Sequence, residues 1–172
     1  SVGSPAGAQD VGGELSFHDV VNGTLGLETS NLITVDVPVI FAAPVSAEID
    51  LNGRAVILDL LPHSHRSDLY QVLHYGENGQ LVEAAPSPLN TLKGEIRDMP
   101  GSVVVGGMMA DGLHLKIMEP SGRTTWLEAL GGLVDGAAAN QYVTYSSDDV
   151  IPNGGTCGTT ELLAAPGLSL IH

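Results

Sequence analysis

The sequence predicts a mainly β domain, an antiparallel sandwich or barrel-like fold with a central four-stranded meander and an extended C-terminal segment. Three observations carry that expectation. Short runs rich in Val, Leu, Ile and Thr recur along the 172 residues, spaced as in all-β folds. The 22 Gly and 10 Pro cut the chain into pieces too short for a long amphipathic helix. Aromatic residues make up only 4 %, so the core rests on aliphatic side chains. At this length one domain is expected, large enough to bury a real core.

Taken in order, residues 1–13 are rich in Gly and Ala and read as a flexible arm. Residues 14–145 are the β-rich part. Residues 32–37 form a β-branched run that Pro38 stops or forces to a sheet edge, because proline cannot donate to a ladder. The turn signal Asn52-Gly53 leads into a strand over 55–60. Residues 69–75 alternate, with Leu69, Leu73 and Tyr75 on one face and Tyr70, Val72 and His74 on the other. The chain then reverses at Gly76-Glu77-Asn78-Gly79 into 80–82.

The meander comprises residues 92–97, 102–109, 113–118 and 124–130. Turn chemistry separates them at 98–101, Asp111-Gly112 and 120–123. Leu113, Leu115 and Ile117 alternate with His114 and Lys116, the pattern of a half-buried antiparallel strand. Gly106-Gly107, inside a strand pattern, reads as a bulge. Residues 131–139 read as loop or a short helical turn, and 141–145 as a last strand. From Ser146 to His172 the chain reads as an extended exit, an inhibitory or linker segment.

Charge excludes two classes of partner. Twenty Asp and Glu against 6 Lys and Arg leave a formal charge of −14, which repels nucleic acid and anionic membranes. No run of 18 apolar residues spans a bilayer.

Catalytic and metal-binding candidates are few. His63-Ser64-His65 sets two imidazoles on one face of an extended strand, a geometry that shares a metal if Asp59, Asp68 or His74 completes it. A surface turn is the competing reading. His114 is expected to face solvent, and His18 and His172 show no evident partner. Asp148-Asp149 point to opposite faces of an extended chain and so share no proton. No nucleophile elbow, phosphate loop, dinucleotide fingerprint or H-E-x-x-H helix is present.

Cys157 is the only cysteine, framed by Asn153-Gly154-Gly155-Thr156 and Gly158. By its neighbours alone it is buried filler, a reactive nucleophile, or a ligand for a metal that another domain holds. Acids nearby do not favour a free thiolate, whereas zinc deprotonates a coordinating thiol outright.

Residues 51–158 resemble the propeptide of secreted, reprolysin-like (adamalysin-type) zinc metallopeptidases, particularly the bacterial multidomain kind. The resemblance is carried by Thr91-Leu92-Lys93-Gly94-Glu95-Ile96, by Pro100-Gly101-Ser102-Val103-Val104, and by Asp111-Gly112-Leu113-His114-Leu115-Lys116-Ile117. Gly122-Arg123-Thr124-Thr125-Trp126-Leu127-Glu128-Ala129-Leu130 follows, with Ala129 where the family has proline, and Thr156-Cys157-Gly158 closes the series. The resemblance implies a non-catalytic, secreted or extracellular β domain. It would assist folding of a cognate catalytic domain and keep it latent. It also implies that Cys157 is the cysteine-switch ligand to that partner's zinc, with no cofactor of the chain's own. The alternative is an extracellular β-sandwich binding or adhesion module without a protease partner; an enzyme on a β-barrel ranks last.

Overall fold

Tight turns set the wall of this protein. Asn52 and Gly53 both take left-handed angles (φ 58° and 78°), and Leu51 and Arg54 exchange hydrogen bonds across them at 2.8 and 3.3 Å. That is a two-residue hairpin whose twist matches its strands. It joins β2 (Val45–Asp50) to β3 (Ala55–Pro62) in register Asp50↔Ala55. The computed structural model describes residues 15–37 and 43–152.

The remaining strands are β1 (Asn31–Thr34), β4 (Val72–Tyr75), β5 (Leu81–Ala84), β6 (Thr91–Ile96), β7 (Val103–Met108), β8 (Leu113–Met118), β9 (Thr124–Ala129) and β10 (Gln141–Ser146). Eight of them form one antiparallel sheet in the order β1-β10-β9-β8-β7-β6-β3-β2, curled into a nearly closed barrel. The expected meander is β6 to β9, paired in sequence. Of sandwich and barrel, the barrel is what forms.

Alternation fills the interior. Leu58 and Leu60 of β3, Leu92 and Ile96 of β6, Val104 of β7, Leu113, Leu115 and Ile117 of β8, and Leu127 of β9 make one buried cluster. Outward neighbours such as Lys93, Glu95 and Lys116 stay at the surface. On that surface Arg97, just after β6, grips Asp59 of β3 through two nitrogens, at 2.9 and 2.6 Å, and also reaches Ser46 of β2 at 2.9 Å. The Arg97 hydrogen bonds, helped by Ser46, push the Asp59 carboxyl down to about 2. Thr125 of β9 and Thr144 of β10 are buried with hydroxyls that have no partner among the described residues. An unpaired buried hydroxyl is costly, so Thr144→Val is expected to raise stability by about 1 kcal/mol, read as a higher urea midpoint.

The bulge expected at Gly106-Gly107 does not form. The β6–β7 and β7–β8 ladders run through both glycines without a slip, from Thr91↔Gly107 to Gly94↔Val104 and from Val103↔Met118 to Met108↔Leu113. The glycines serve close approach instead. A Cβ on Gly106 would sit 2.0 Å from the His114 carbonyl oxygen, and one on Gly94 2.0 Å from that of Asp59. At both positions the missing side chain lets the adjacent backbone come close.

The sequence reading does not anticipate β2 or the helix α1 (Phe17–Leu25). A capping box starts α1: the Ser16 hydroxyl accepts from the Asp19 amide, and Asp19 accepts from the Ser16 amide. Gly26 (φ 65°) ends it in the left-handed conformation. Its Val21 is fully buried against Leu130, Val134 and Val143 on the outer face of the wall. His18 also proves to have a partner, the Ser30 hydroxyl at 2.9 Å, which in turn donates to Asn22.

The exit from Ser146 opens as a 3-10 turn (Ser147–Asp149) with its own capping box, rather than running extended at once. Beyond it Val150 bridges Leu27, and the Ile151 amide donates to the Gly26 carbonyl at 2.8 Å. The flexible arm expected over 1–13 and the course of the chain after Pro152 lie outside the described residues.

Candidate functional site

β4 and β5 stand apart from the barrel as a separate two-stranded sheet. The reversal at Gly76–Gly79 forms as the sequence suggests. The Gly76 amide donates to the Gln80 carbonyl and the Gly79 amide to the Gly76 carbonyl, both at 2.9 Å, with Gly79 at φ 74°. Pairing runs from Val72↔Ala84 to Tyr75↔Leu81, so Leu73, Tyr75 and Leu81 share one face and Val82 and His74 the other. Both faces are open: Tyr75 is 76 % exposed, Leu81 57 % and Leu73 48 %. Leu69, 90 % exposed, and Tyr70 extend the apolar surface toward the base.

Arg66 staples that base. Its guanidinium donates to the Ser87 carbonyl at 2.8 Å and to the Ser87 hydroxyl at 3.0 Å, and lies 5.0 Å over the Tyr70 ring. An isolated two-stranded hairpin is marginal in water, and a soluble surface rarely gathers this many large apolar side chains without a use.

A polar cluster sits elsewhere, on the outer face of β8 and β9. His114 is half-buried, not solvent-facing. Its Nδ1 meets the Glu128 carboxylate and its Nε2 lies 3.0 Å from Oδ1 of Asp111, in the β7–β8 turn. Burial disfavours the charged ring, yet the hydrogen bonds to Glu128 and Asp111 outweigh it and raise the imidazole above its usual range. The His114 hydrogen bond in turn lowers the Asp111 carboxyl. Burial and then Glu128, to which it hydrogen-bonds, raise the Tyr145 hydroxyl from β10. With both ring nitrogens held by carboxylates, His114 has no free lone pair to act as a base. The arrangement is an electrostatic clamp tying a turn to two strands.

The remaining candidates separate in space. His63 and His65 do come together, ring centroids 4.7 Å apart and edge to face. Among the described residues, however, no three His, Cys, Asp or Glu side chains gather as metal ligands. Asp59, one proposed third ligand, is engaged by Arg97. A cavity of about 600 Å³ opens at one end of the barrel between Val35, Met108, Asp111 and Tyr142. The Tyr142 hydroxyl there accepts from the Leu113 amide at 3.3 Å. Cys157, the sequence-based zinc ligand, lies outside the described residues.

The clamp was within reach of sequence reasoning. The turn at 119–123 sets the β8–β9 register at Met118↔Thr124, which carries on to Leu115↔Leu127 and so puts His114 across from Glu128. The chain matches no family model, and no curated protein matches it.

Proposed function

We propose that this chain is a propeptide-like docking domain that holds a cognate secreted zinc metallopeptidase latent and assists its folding. The observation that best supports the reading is the β4–β5 arm, which carries Leu73, Tyr75 and Leu81 away from the barrel and leaves them uncovered. A propeptide needs such a grip on a second domain, because its inhibition must survive until it is removed. The motif-bearing segments resembling the family are the consecutive strands β6 to β9, so they supply a rigid body for the arm.

The thiol of Cys157 supplies the inhibition. A catalytic zinc keeps three protein ligands and an open position for water, and a thiolate in that position removes the nucleophile of hydrolysis. Val150 and Ile151 are tied to residues 26–27, and Pro152 is five residues before Cys157. Five residues reach at most roughly 18 Å, so the Cα of Cys157 must lie within that radius of the α1 end of the barrel, and the partner's zinc within one side chain's length beyond it.

The test is inhibition of a separately expressed reprolysin-type catalytic domain by the full chain. Cys157→Ala should weaken inhibition at least about tenfold and leave binding measurable, since an anchor residue is commonly worth more than 1 kcal/mol. Tyr75→Ser and Leu81→Ser should each weaken binding itself by a similar factor. Undiminished inhibition by Cys157→Ala removes the thiol–zinc step. No binding of the catalytic domain removes the propeptide reading altogether.

A further inference from the structure

Seven antiparallel ladders link the eight strands of the wall, and among the described residues no eighth ladder closes it. Among the described residues β1 pairs only with β10 and β2 only with β3, so their other edges face each other across a seam. Among the described residues no backbone hydrogen bond crosses it. The seam is a cleft of about 670 Å³, within the roughly 300–1,000 Å³ typical of ligand sites.

Its lining has a pattern. Ile33 and Ile49 form the floor and belong to the barrel interior, Ile49 being 2 % exposed. Asp36, Glu48 and Asp50 stand at the rim. Asp36 accepts from Asn140 and Asp50 from the Gly53 amide, while Arg54, in the adjoining turn, is paired with Glu119 at 3.7 Å. From this we infer that the seam receives one extended peptide strand of alternating apolar and basic residues, supplied by a partner.

The alternation follows from strand geometry. A strand lying between two edges sends successive side chains to opposite faces. Inward side chains meet Ile33 and Ile49 and must be apolar; outward ones stand among Asp36, Glu48 and Asp50 and must be basic. Backbone pairing supplies affinity without regard to sequence, and the alternating pockets supply selection. Seven antiparallel steps leave β1 and β2 antiparallel to each other, so the guest runs parallel to one and antiparallel to the other.

The charge pattern says where the guest comes from. All 6 Lys and Arg of this chain, at positions 54, 66, 93, 97, 116 and 123, lie within the described barrel and arm. Residues 1–14, 38–42 and 153–172 contain none. Neither these segments nor a second copy of a chain with charge −14 offers a basic strand, and the rim acids repel such a copy. Some Cα atoms of β1 and β2 already lie within 8 Å, against about 9.6 Å for strands separated by a third. Binding therefore widens the seam, and β1, four residues long, is the side that yields. This inference stands independently of the propeptide reading.

The experiment uses the full chain and capped ten-residue peptides alternating Val with Lys, alternating Val with Glu, a scrambled Val/Lys peptide, and the Val/Lys peptide N-methylated at every second residue. The Val/Lys peptide should bind at least tenfold more tightly than each of the others. On binding, amide hydrogen exchange should slow at 31–34 and 45–50. Glu48→Lys with Asp50→Lys, both exposed changes, should reverse the preference between the Lys and Glu peptides. Equal binding of the alternating and scrambled peptides would reduce the effect to bulk charge and overturn the inference. So would outward amides of β1 and β2 already protected in the free protein, which would mean that the chain closes its own seam.

Discussion

Gly94→Ala is expected to destabilise the domain by about 3 kcal/mol or more, enough to threaten a fold whose total stability is typically 5–15 kcal/mol. The added Cβ would stand 2.0 Å from the Asp59 carbonyl oxygen and 3.0 Å from Cδ2 of Leu60. Leu60 could swing aside, but the carbonyl belongs to the backbone of β3, which is laddered on both sides. The strand must therefore shift bodily. Gly106→Ala meets the same obstacle in the His114 carbonyl and should lose a comparable amount. Gly23→Ala is the comparator of opposite sign. It lies inside α1 with nothing within 4 Å of its Cβ position, so the same substitution should stabilise by roughly 0.5–1 kcal/mol. Urea midpoints of the three variants decide the matter. A neutral Gly94→Ala would mean that the close approach of the two strands does not depend on the missing side chain.

His114→Gln is expected to cost about 2 kcal/mol near pH 5.5, because it removes two hydrogen bonds between an imidazolium and carboxylates. The penalty should depend on pH in a defined direction. The folded imidazole is raised above its unfolded value of about 6.5, so its stabilisation is fully present below that pH and is lost as pH rises through the folded pKa. Asp111 is lowered, so its share is present above about pH 3.9 and is lost as pH falls through its own folded pKa. The clamp therefore gives most between about pH 4 and 6.5. Facing His114 are Asp111 from the β7–β8 turn and Glu128 from β9, with Tyr145 of β10 bonded to the latter. Chemical denaturation from pH 4 to 9 should show the wild type and His114→Gln converging at the alkaline end. Parallel curves would deny the imidazolium its role.

Most of the wall could be read from the chain because its signals are local. Leu113, Leu115 and Ile117 alternate with polar residues, and glycine marks the turns at 101, 112 and 122 with φ values of 84°, 141° and 89°. The sequence signal for β2 is weak although Val45, Ala47 and Ile49 alternate with Ser46, Glu48 and Asp50. Small Ala47 and three polar neighbours make a weak run, and only pairing with β3 gives it a core face. Helix α1 is faint in the sequence for a similar reason. Its β-branched residues and Gly23 have poor helix propensity, and its stability comes from Val21 buried against strands far away in sequence.

Reading Gly106-Gly107 as a bulge and reading His114 as solvent-facing share another cause. Both outcomes are set by what the neighbouring strand places opposite, which spacing within one strand does not reveal. The barrel was open as one of two choices, since the same alternation fills a sandwich. For the candidate site, the arm's turn and alternation were visible at 69–82. Its separation from the barrel was not, because nothing in that stretch says which strands it will refuse to join.

The pairing of β1 with β10 joins Asn31 to Thr144, whereas each turn of the β6–β9 meander joins strands only a few residues apart. Loop-closure entropy grows with the length enclosed, so the short-range hairpins assemble first and the β1–β10 ladder last. A chain emerging from a ribosome cannot complete that step until residue 146 is free of the exit channel. Until then β10 lacks its outer neighbour and α1 lacks its floor. α1, β1 and β10 thus become ordered in one event, although more than a hundred residues of chain separate the first of them from the last.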